Sequence, residues 1–91
     1  MYYLYIIICD KAFFYTGITQ ELGKRVKEHK SGFSPYTKRY KSVELVYSEI
    51  LNTRLKAEKR EKQIKGWSRE KKKALIEGNV NQLQKLSKSK S

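Results

Sequence analysis

With 91 residues and an apolar content of 38%, the chain is sized and composed for one small packed domain. A chain this short keeps much of its surface wet, which excludes a deep, walled catalytic cavity and leaves a shallow groove for any site. Lys and Arg number 21 against 9 Asp and Glu, and the resulting net charge of +12 attracts polyanions, nucleic acid first and anionic membrane second.

Tyr2 to Cys9 is rich in aromatic and β-branched residues and reads as a strand. Its apolar run on both faces predicts a central strand covered on each side. Leu4–Cys9 is the longest apolar run, far short of the roughly 20 residues needed to cross a bilayer. It has neither a basic leader nor a small-residue cleavage site, so it does not read as a secretory signal. Cys9 is the single cysteine, which fits a reducing cytoplasm, and one His with one Cys excludes a zinc site of the usual four-ligand kind. A hard-cation site of carboxylate and water stays open. After the polar break Asp10-Lys11-Ala12, Phe13 to Ile18 reads as a second strand forming an antiparallel hairpin with the first. Gly17 marks a bend or a close backbone approach. Tyr5 and Tyr15 share a face only if Cys9 stands opposite Phe13 across a three-residue loop, or if a bulge intervenes; one of these is expected.

Thr19 is the expected cap of a helix from about Gln20 to Lys30, with Glu21 in its first turn and Gly32 ending it. Phe33 to Lys41, containing Pro35, is a basic, aromatic loop. Val43 to Glu49 alternates and reads as a third strand. Thr53 caps a second helix reaching Lys65, before Gly66, and Ser68 caps a third ending near Gly78. Val80, Leu83 and Leu86 suggest one last helical turn, followed by a disordered Ser/Lys tail. The expected fold class is α/β of the α+β type: a small central three-stranded, mainly antiparallel sheet flanked by helices. Residues 1–80 form the domain, and 81–91 the short turn and basic tail. A membrane-surface role would need a long helix with an apolar face not used by the core, and none is seen.

The helices carry polar residues on faces that should be inward. Advancing about 100° per residue from Leu22 places Val26, His29 and Arg25 within one arc of about 100°. An inward guanidinium needs an anion. A structural salt bridge for Arg25 and a satisfied core position for His29 are the plain alternatives. On the second helix Glu61 falls inside the stripe of Ala57 and Ile64, with Glu58 at its margin. Glu61 can pair with Arg25 or Lys62, or hold a metal ion. Seven tyrosines are many for this length. Most serve packing, although a tyrosine beside a cation can also lose its proton or stack on a base. Tyrosine, arginine, histidine and a carboxylate with one divalent metal are together the parts that hydrolyse a phosphodiester.

The order of these residues is recognisable. Tyr3-Leu4-Tyr5, then Tyr15-Thr16-Gly17, then Arg25-Val-Lys-Glu-His29, then Glu61-Lys-Gln-Ile-Lys65 resembles the GIY-YIG nuclease family over about residues 2–78. The nearest likeness is to small stand-alone bacterial members; the N-terminal nuclease domain of the bacterial excinuclease belongs to the same family. The first motif has Tyr3 where the family name has Gly. The resemblance implies that Tyr5 and Tyr15 flank the scissile phosphate and that one of them serves as, or helps, the general base. It implies that Arg25 contacts the phosphate, that His29 assists proton transfer or positions water, and that Glu61 holds one divalent metal, Mg2+ or else Mn2+. It gives Gly17 the backbone turn between strand and helix. The function implied is a metal-dependent DNA endonuclease or nickase on branched or damaged DNA; the alternative is a non-catalytic nucleic-acid-binding module on the same fold. Thr37, Lys38, Arg39 and Lys41 are the expected DNA contacts. No membrane partner is expected, and an unidentified protein partner supplying specificity has a place.

Overall fold

The computed structural model describes residues 1–32, 34 and 37–78. In chain order these form β1 (Tyr2–Cys9), β2 (Phe13–Thr19), α1 (Leu22–Lys30), β3 (Val43–Leu51), α2 (Arg54–Lys65) and α3 (Arg69–Ile76). The sheet order is β2-β1-β3, and both pairings are antiparallel. The apolar run of β1 therefore sits at the centre, and Leu4, Tyr5, Ile6 and Ile7 are all buried. Fully burying one large aliphatic side chain contributes about 1.5–3 kcal/mol.

Each face of the sheet has its own cluster. On one, Leu4, Ile6 and Ile64 pack with Tyr47, Trp67 and Leu75, which brings α2 and α3 over the sheet. On the other, Tyr5, Ile7 and Cys9 pack with Tyr15, Leu22 and Tyr40, which brings α1 and the following loop over it. The caps of the last two helices match their sequence signals. Thr53 accepts from the Lys56 N–H at 3.2 Å, and Ser68 accepts from the Lys71 N–H at 3.2 Å.

Cys9 stands opposite Phe13 across the Asp10–Ala12 loop, the odd loop that parity required. The Ala12 N–H donates to the Cys9 carbonyl at 3.0 Å. Asp10 and Lys11 both take left-handed backbone, with φ of 52° and 55°. The Asp10 carboxylate accepts from the Lys41 and Ser42 N–H groups at 2.8 and 2.9 Å. This pins the basic loop to the hairpin.

Two element ends differ from expectation. Thr19 does not cap α1. It is still extended in β2, opposite Tyr3, and its hydroxyl accepts from the Glu21 N–H at 3.1 Å. The corner uses Gln20 and Glu21, so the helix starts at Leu22 with Glu21 as its cap and no side-chain cap bond. β3 runs past Glu49 to Leu51, because Ile50 and Leu51 still pair with Tyr3 and Tyr2. A bulge lies within it: Ile6 faces Tyr47 while Ile7 faces Leu45, so Val46 is the extra residue. The expected turn at Val80, Leu83 and Leu86 and the tail lie outside the described residues. Among the described residues, no helix is long and apolar enough to cross a membrane.

Candidate active site

The even register of the hairpin puts Tyr5, Tyr15 and Gly17 on the sheet face beneath α1. The Tyr5 and Tyr15 ring centroids are 6.4 Å apart. Tyr5 lies directly opposite Gly17, and its ring covers that residue. A Cβ on Gly17 would lie 2.6 Å from the Tyr5 hydroxyl oxygen and 2.8 Å from Cζ. Gly17 therefore admits the Tyr5 ring from within β2 and does not supply the turn into α1, which lies at Gln20 and Glu21.

The last turn of α1 delivers His29 onto this ring pair. Its ring centroid is 5.7 Å from that of Tyr5 and 5.4 Å from that of Tyr15. Nε2 is 3.0 Å from the Tyr5 hydroxyl, and Nδ1 is 2.7 Å from the Thr37 hydroxyl. His29 is 2% exposed and Thr37 1%. Burial lowers the His29 pKa below its usual value, and the Arg25 charge lowers it further, while Glu28 opposes. A helix C-terminus favours a cation, but desolvation prevails and the ring is neutral at pH 7. Burial likewise pushes the Tyr5 phenol well up. Tyr15, Glu61 and Glu28 add to this, and Arg25 counteracts it. Tyr5 thus holds its proton at rest. The chain Tyr5–His29–Thr37 is satisfied in either of two directions. The Tyr5 O–H donates to Nε2 while Nδ1–H donates to Thr37, or the Thr37 O–H donates to Nδ1 while Nε2–H donates to Tyr5.

The charged candidates are less buried than the neutral ones. Arg25 is half-buried, its side chain 42% exposed, and is paired with Glu28 at 3.6 Å on its own helix. Glu61 is 23% exposed and is paired with Lys65 at 3.2 Å, one turn along α2. The sequence allowed Glu61 a pairing with Arg25 or Lys62, and Lys65 is the partner it finds. A depression lined by Thr19, Glu21, Lys24, Arg25 and Glu28 opens beside the guanidinium. As for a metal, the described residues contain no group of three His, Cys, Asp or Glu that could enclose one. A partly exposed single carboxylate fits Mg2+ in its usual manner, with one or two carboxylates, several waters and substrate phosphate completing the shell.

Tyr5, Tyr15 and His29, from β1, β2 and α1, thus meet in direct contact, while Arg25 and Glu61 are each paired on their own helix and act on the Tyr5 phenol through their charges. Thr37 does not belong with the surface contacts. Its hydroxyl is buried against His29, where no phosphate can reach it, and it supports the histidine from behind. Lys38, Arg39 and Lys41 lie in the pinned loop, with Lys38, Arg39 and Lys41 all exposed. The sequence carried no signal for the Thr37 contact, because it spans a loop whose path is set by the Asp10 staple.

A family described as the GIY-YIG catalytic domain matches residues 1–74. A UPF0213 protein of Staphylococcus saprophyticus is 42% identical over 76 residues, spanning 82% of this chain and 93% of that protein. A UPF0213 protein of Haloquadratum walsbyi is 42% identical over 77 residues, spanning 84% and 86%. The solution NMR structure of a UPF0213 protein from Bacillus halodurans superposes with a TM-score of 0.56 at 31% identity, covering 92% of this chain and 94% of that one.

Proposed function

The chain belongs to the GIY-YIG family, a family of endonucleases, and from that premise we propose that it is a metal-dependent endonuclease or nickase that hydrolyses phosphodiester bonds in branched or damaged DNA. The observation that carries the reading is the buried contact of the Tyr5 hydroxyl with His29, with the Tyr15 ring packed against both.

The chemistry follows from the environments. Because Tyr5 holds its proton, it serves as a relay and not as a free phenolate. Its oxygen takes a proton from the attacking water while its own proton passes to Nε2 of neutral His29. That direction requires Nδ1–H to donate to Thr37. The water oxygen bonds to phosphorus, the bond to the departing sugar oxygen breaks, and solvent protonates that oxygen at the open groove. Arg25 offsets the charge developing on the phosphoryl oxygens. Its long, half-exposed ion pair with Glu28 is weak enough for a phosphate to displace. Glu61 would hold the divalent ion, which when bound supplies Lewis acidity to the phosphate. Tyr15, against both Tyr5 and His29, walls the second side of the reacting group.

The test is Glu61→Gln, assayed on duplex, flap, fork and junction DNA with magnesium, manganese or chelator. The substitution removes a partly exposed, one-turn pair with Lys65 and keeps the side-chain size, so the melting temperature should fall by only a few degrees. Nicking should fall by about 10³-fold or more, as several kcal/mol of transition-state stabilisation are lost. DNA binding in chelator should persist. A stable variant that nicks at the wild-type rate overturns the metal role of Glu61. The rival reading, a binding module without cleavage, draws on the Lys65 ammonium already seated on Glu61. Wild-type protein that binds these DNAs and cuts none of them establishes that rival.

A further inference from the structure

Beyond the hydrolytic centre, the same sheet face carries an aromatic pair at the end of the hairpin. Phe13 begins β2 and is 57% exposed. Its ring centroid is 5.8 Å from that of Tyr40, tilted by 38°. The Arg39 guanidinium lies 5.0 Å above the Tyr40 ring and donates to the Tyr40 hydroxyl at 3.0 Å. The geometry is held from three sides. Tyr40 N–H donates to the Thr37 carbonyl at 3.0 Å, and Asp10 N–H donates to the Ser42 carbonyl at 2.7 Å. The Asp10 carboxylate holds Lys41 and Ser42, as described above.

Three properties coincide here. The Phe13 ring is exposed, and the partly buried Tyr40 ring beside it is held by its loop and by Arg39, so little freedom of Tyr40 is lost when something stacks on the pair. It is flanked by Lys38, Arg39 and Lys41, with no acidic side chain between Lys38 and Lys41 except across the staple at Asp10, whose carboxylate is occupied by backbone N–H groups. Finally, Phe13 points to the same face as Tyr15, two residues along β2, roughly 7 Å at the rise of an antiparallel strand. A planar aromatic surface beside cations recognises a polyanion that carries exposed π-faces. Duplex DNA hides those faces in its stack, whereas a single strand offers them.

We propose that Phe13, Tyr40 and Arg39 form a stacking platform for an unpaired nucleobase of single-stranded DNA, placed next to the Tyr5–His29 site. This rests on the endonuclease reading and deepens it: the substrate class becomes DNA at a junction of duplex and single strand, with the unpaired strand running over the hairpin end.

The test separates the platform from the chemistry by reading binding in chelator. The probes are labelled oligo-dT, the same strand with abasic sites in place of bases, and a blunt duplex. Wild-type protein should bind oligo-dT more tightly than the abasic strand. Phe13→Ala should weaken oligo-dT binding by about tenfold, the loss of one base–aromatic stack, and should bring it to the abasic level. Phe13→Trp, which keeps an aromatic face at an exposed position, should retain the preference. If Phe13→Ala lowers oligo-dT, abasic and duplex binding equally, or lowers none, the platform does not exist. Equal binding of the abasic strand and oligo-dT by wild-type protein excludes it as well. Nicking of a flap in magnesium is measured separately. Selective loss of oligo-dT binding together with absent nicking retains the platform and removes the endonuclease reading; nicking with no base-dependent binding does the reverse.

Discussion

Replacing Gly17 with Ala tests the site at its tightest contact. The added Cβ would sit 2.6 Å from the Tyr5 hydroxyl oxygen, 2.8 Å from Cζ and 3.1 Å from Cε1. To restore an ordinary separation near 3.4 Å, the hydroxyl must retreat by about 0.8 Å. Tyr5 is buried in the middle strand, so its ring has little room to retreat, and the 3.0 Å bond to His29 is the first contact to break. Overpacking of this kind costs about 1–3 kcal/mol. Losing the buried hydrogen bond adds about 1 kcal/mol, and the stiffer unfolded chain returns about 0.4–1 kcal/mol. A net loss of about 1–3 kcal/mol lowers the melting temperature of a domain this size by roughly 5–20 °C. Activity should fall further than stability, by about 10²-fold, because a displacement approaching 1 Å at a reacting group has that effect. The assay is thermal melting by circular dichroism together with nicking well below the melting point. The decisive control is the Tyr5→Leu background, where the phenol is absent and the alanine should be accepted at much smaller cost. Wild-type melting and nicking in Gly17→Ala, or an equal destabilisation in both backgrounds, refutes the close-approach account.

Thr37→Val keeps the shape and removes the hydroxyl. His29 Nδ1–H loses its acceptor, so stability should drop by about 1–3 kcal/mol and nicking by about 10²-fold. Thr37→Ser should recover both, and a valine variant that nicks at the wild-type rate removes Thr37 from the proton chain. Replacing Lys38, Arg39 and Lys41 together by Ala should flatten the slope of log affinity against log salt by about 2–3 units, roughly 0.9 per phosphate contact; an unchanged slope places the DNA on another surface. Stability should also depend on the protonation of His29, whose folded-state pKa is below 6.5. Above that value the folded and unfolded rings are both neutral and stability is complete. As the pH falls below it, the unfolded chain takes up a proton that the buried ring refuses, and stability is lost. The groups facing the ring are Tyr5, Tyr15, Thr37, Arg25 and Glu28. Between about pH 7.5 and about pH 5.5, the melting temperature should fall more steeply for wild type than for His29→Gln, and parallel profiles contradict the assignment.

The hairpin was legible because its constraints are local. An apolar run on both faces requires a central strand, and the parity of residues around Asp10-Lys11-Ala12 fixes which side chains share a face. The second and third helices were legible through Thr53 and Ser68, whose hydroxyls reach N–H groups three residues on. Thr19 misled for a physical reason. A threonine at the end of a strand satisfies the same cap preference, and the ladder partner Tyr3, far away in sequence, decides that it stays extended. The Val46 bulge has a trace in the sequence, the apolar run Leu45-Val46-Tyr47 that interrupts the alternation of β3, but the run alone does not say which residue is extra; the pairing with Ile6 and Ile7 decides it. From the sequence alone Thr37 reads as a surface contact, because it sits among basic residues. Only the docking of the loop onto the hairpin turns it inward to His29, and no periodicity encodes that.

The split between buried and exposed groups also explains how so small a domain can hold a site of this kind. A buried charge is expensive without a close partner, and a sheet of three strands has few partners to offer. The inner part is accordingly neutral: a protonated phenol, an uncharged imidazole and a hydroxyl, each satisfied by the next. The charges stay on helix surfaces in local pairs, Arg25 with Glu28 and Glu61 with Lys65. Such pairs are worth at most about 1 kcal/mol, so exchanging them for stronger partners releases little stability. On the proposed reading, a phosphate takes Arg25 and a divalent ion takes Glu61, while the neutral chain beneath keeps its geometry. The rigid part supplies position and the loosely held pairs supply charge. A variant that locked Arg25 or Glu61 into a tighter pair would therefore stabilise the fold and slow the reaction.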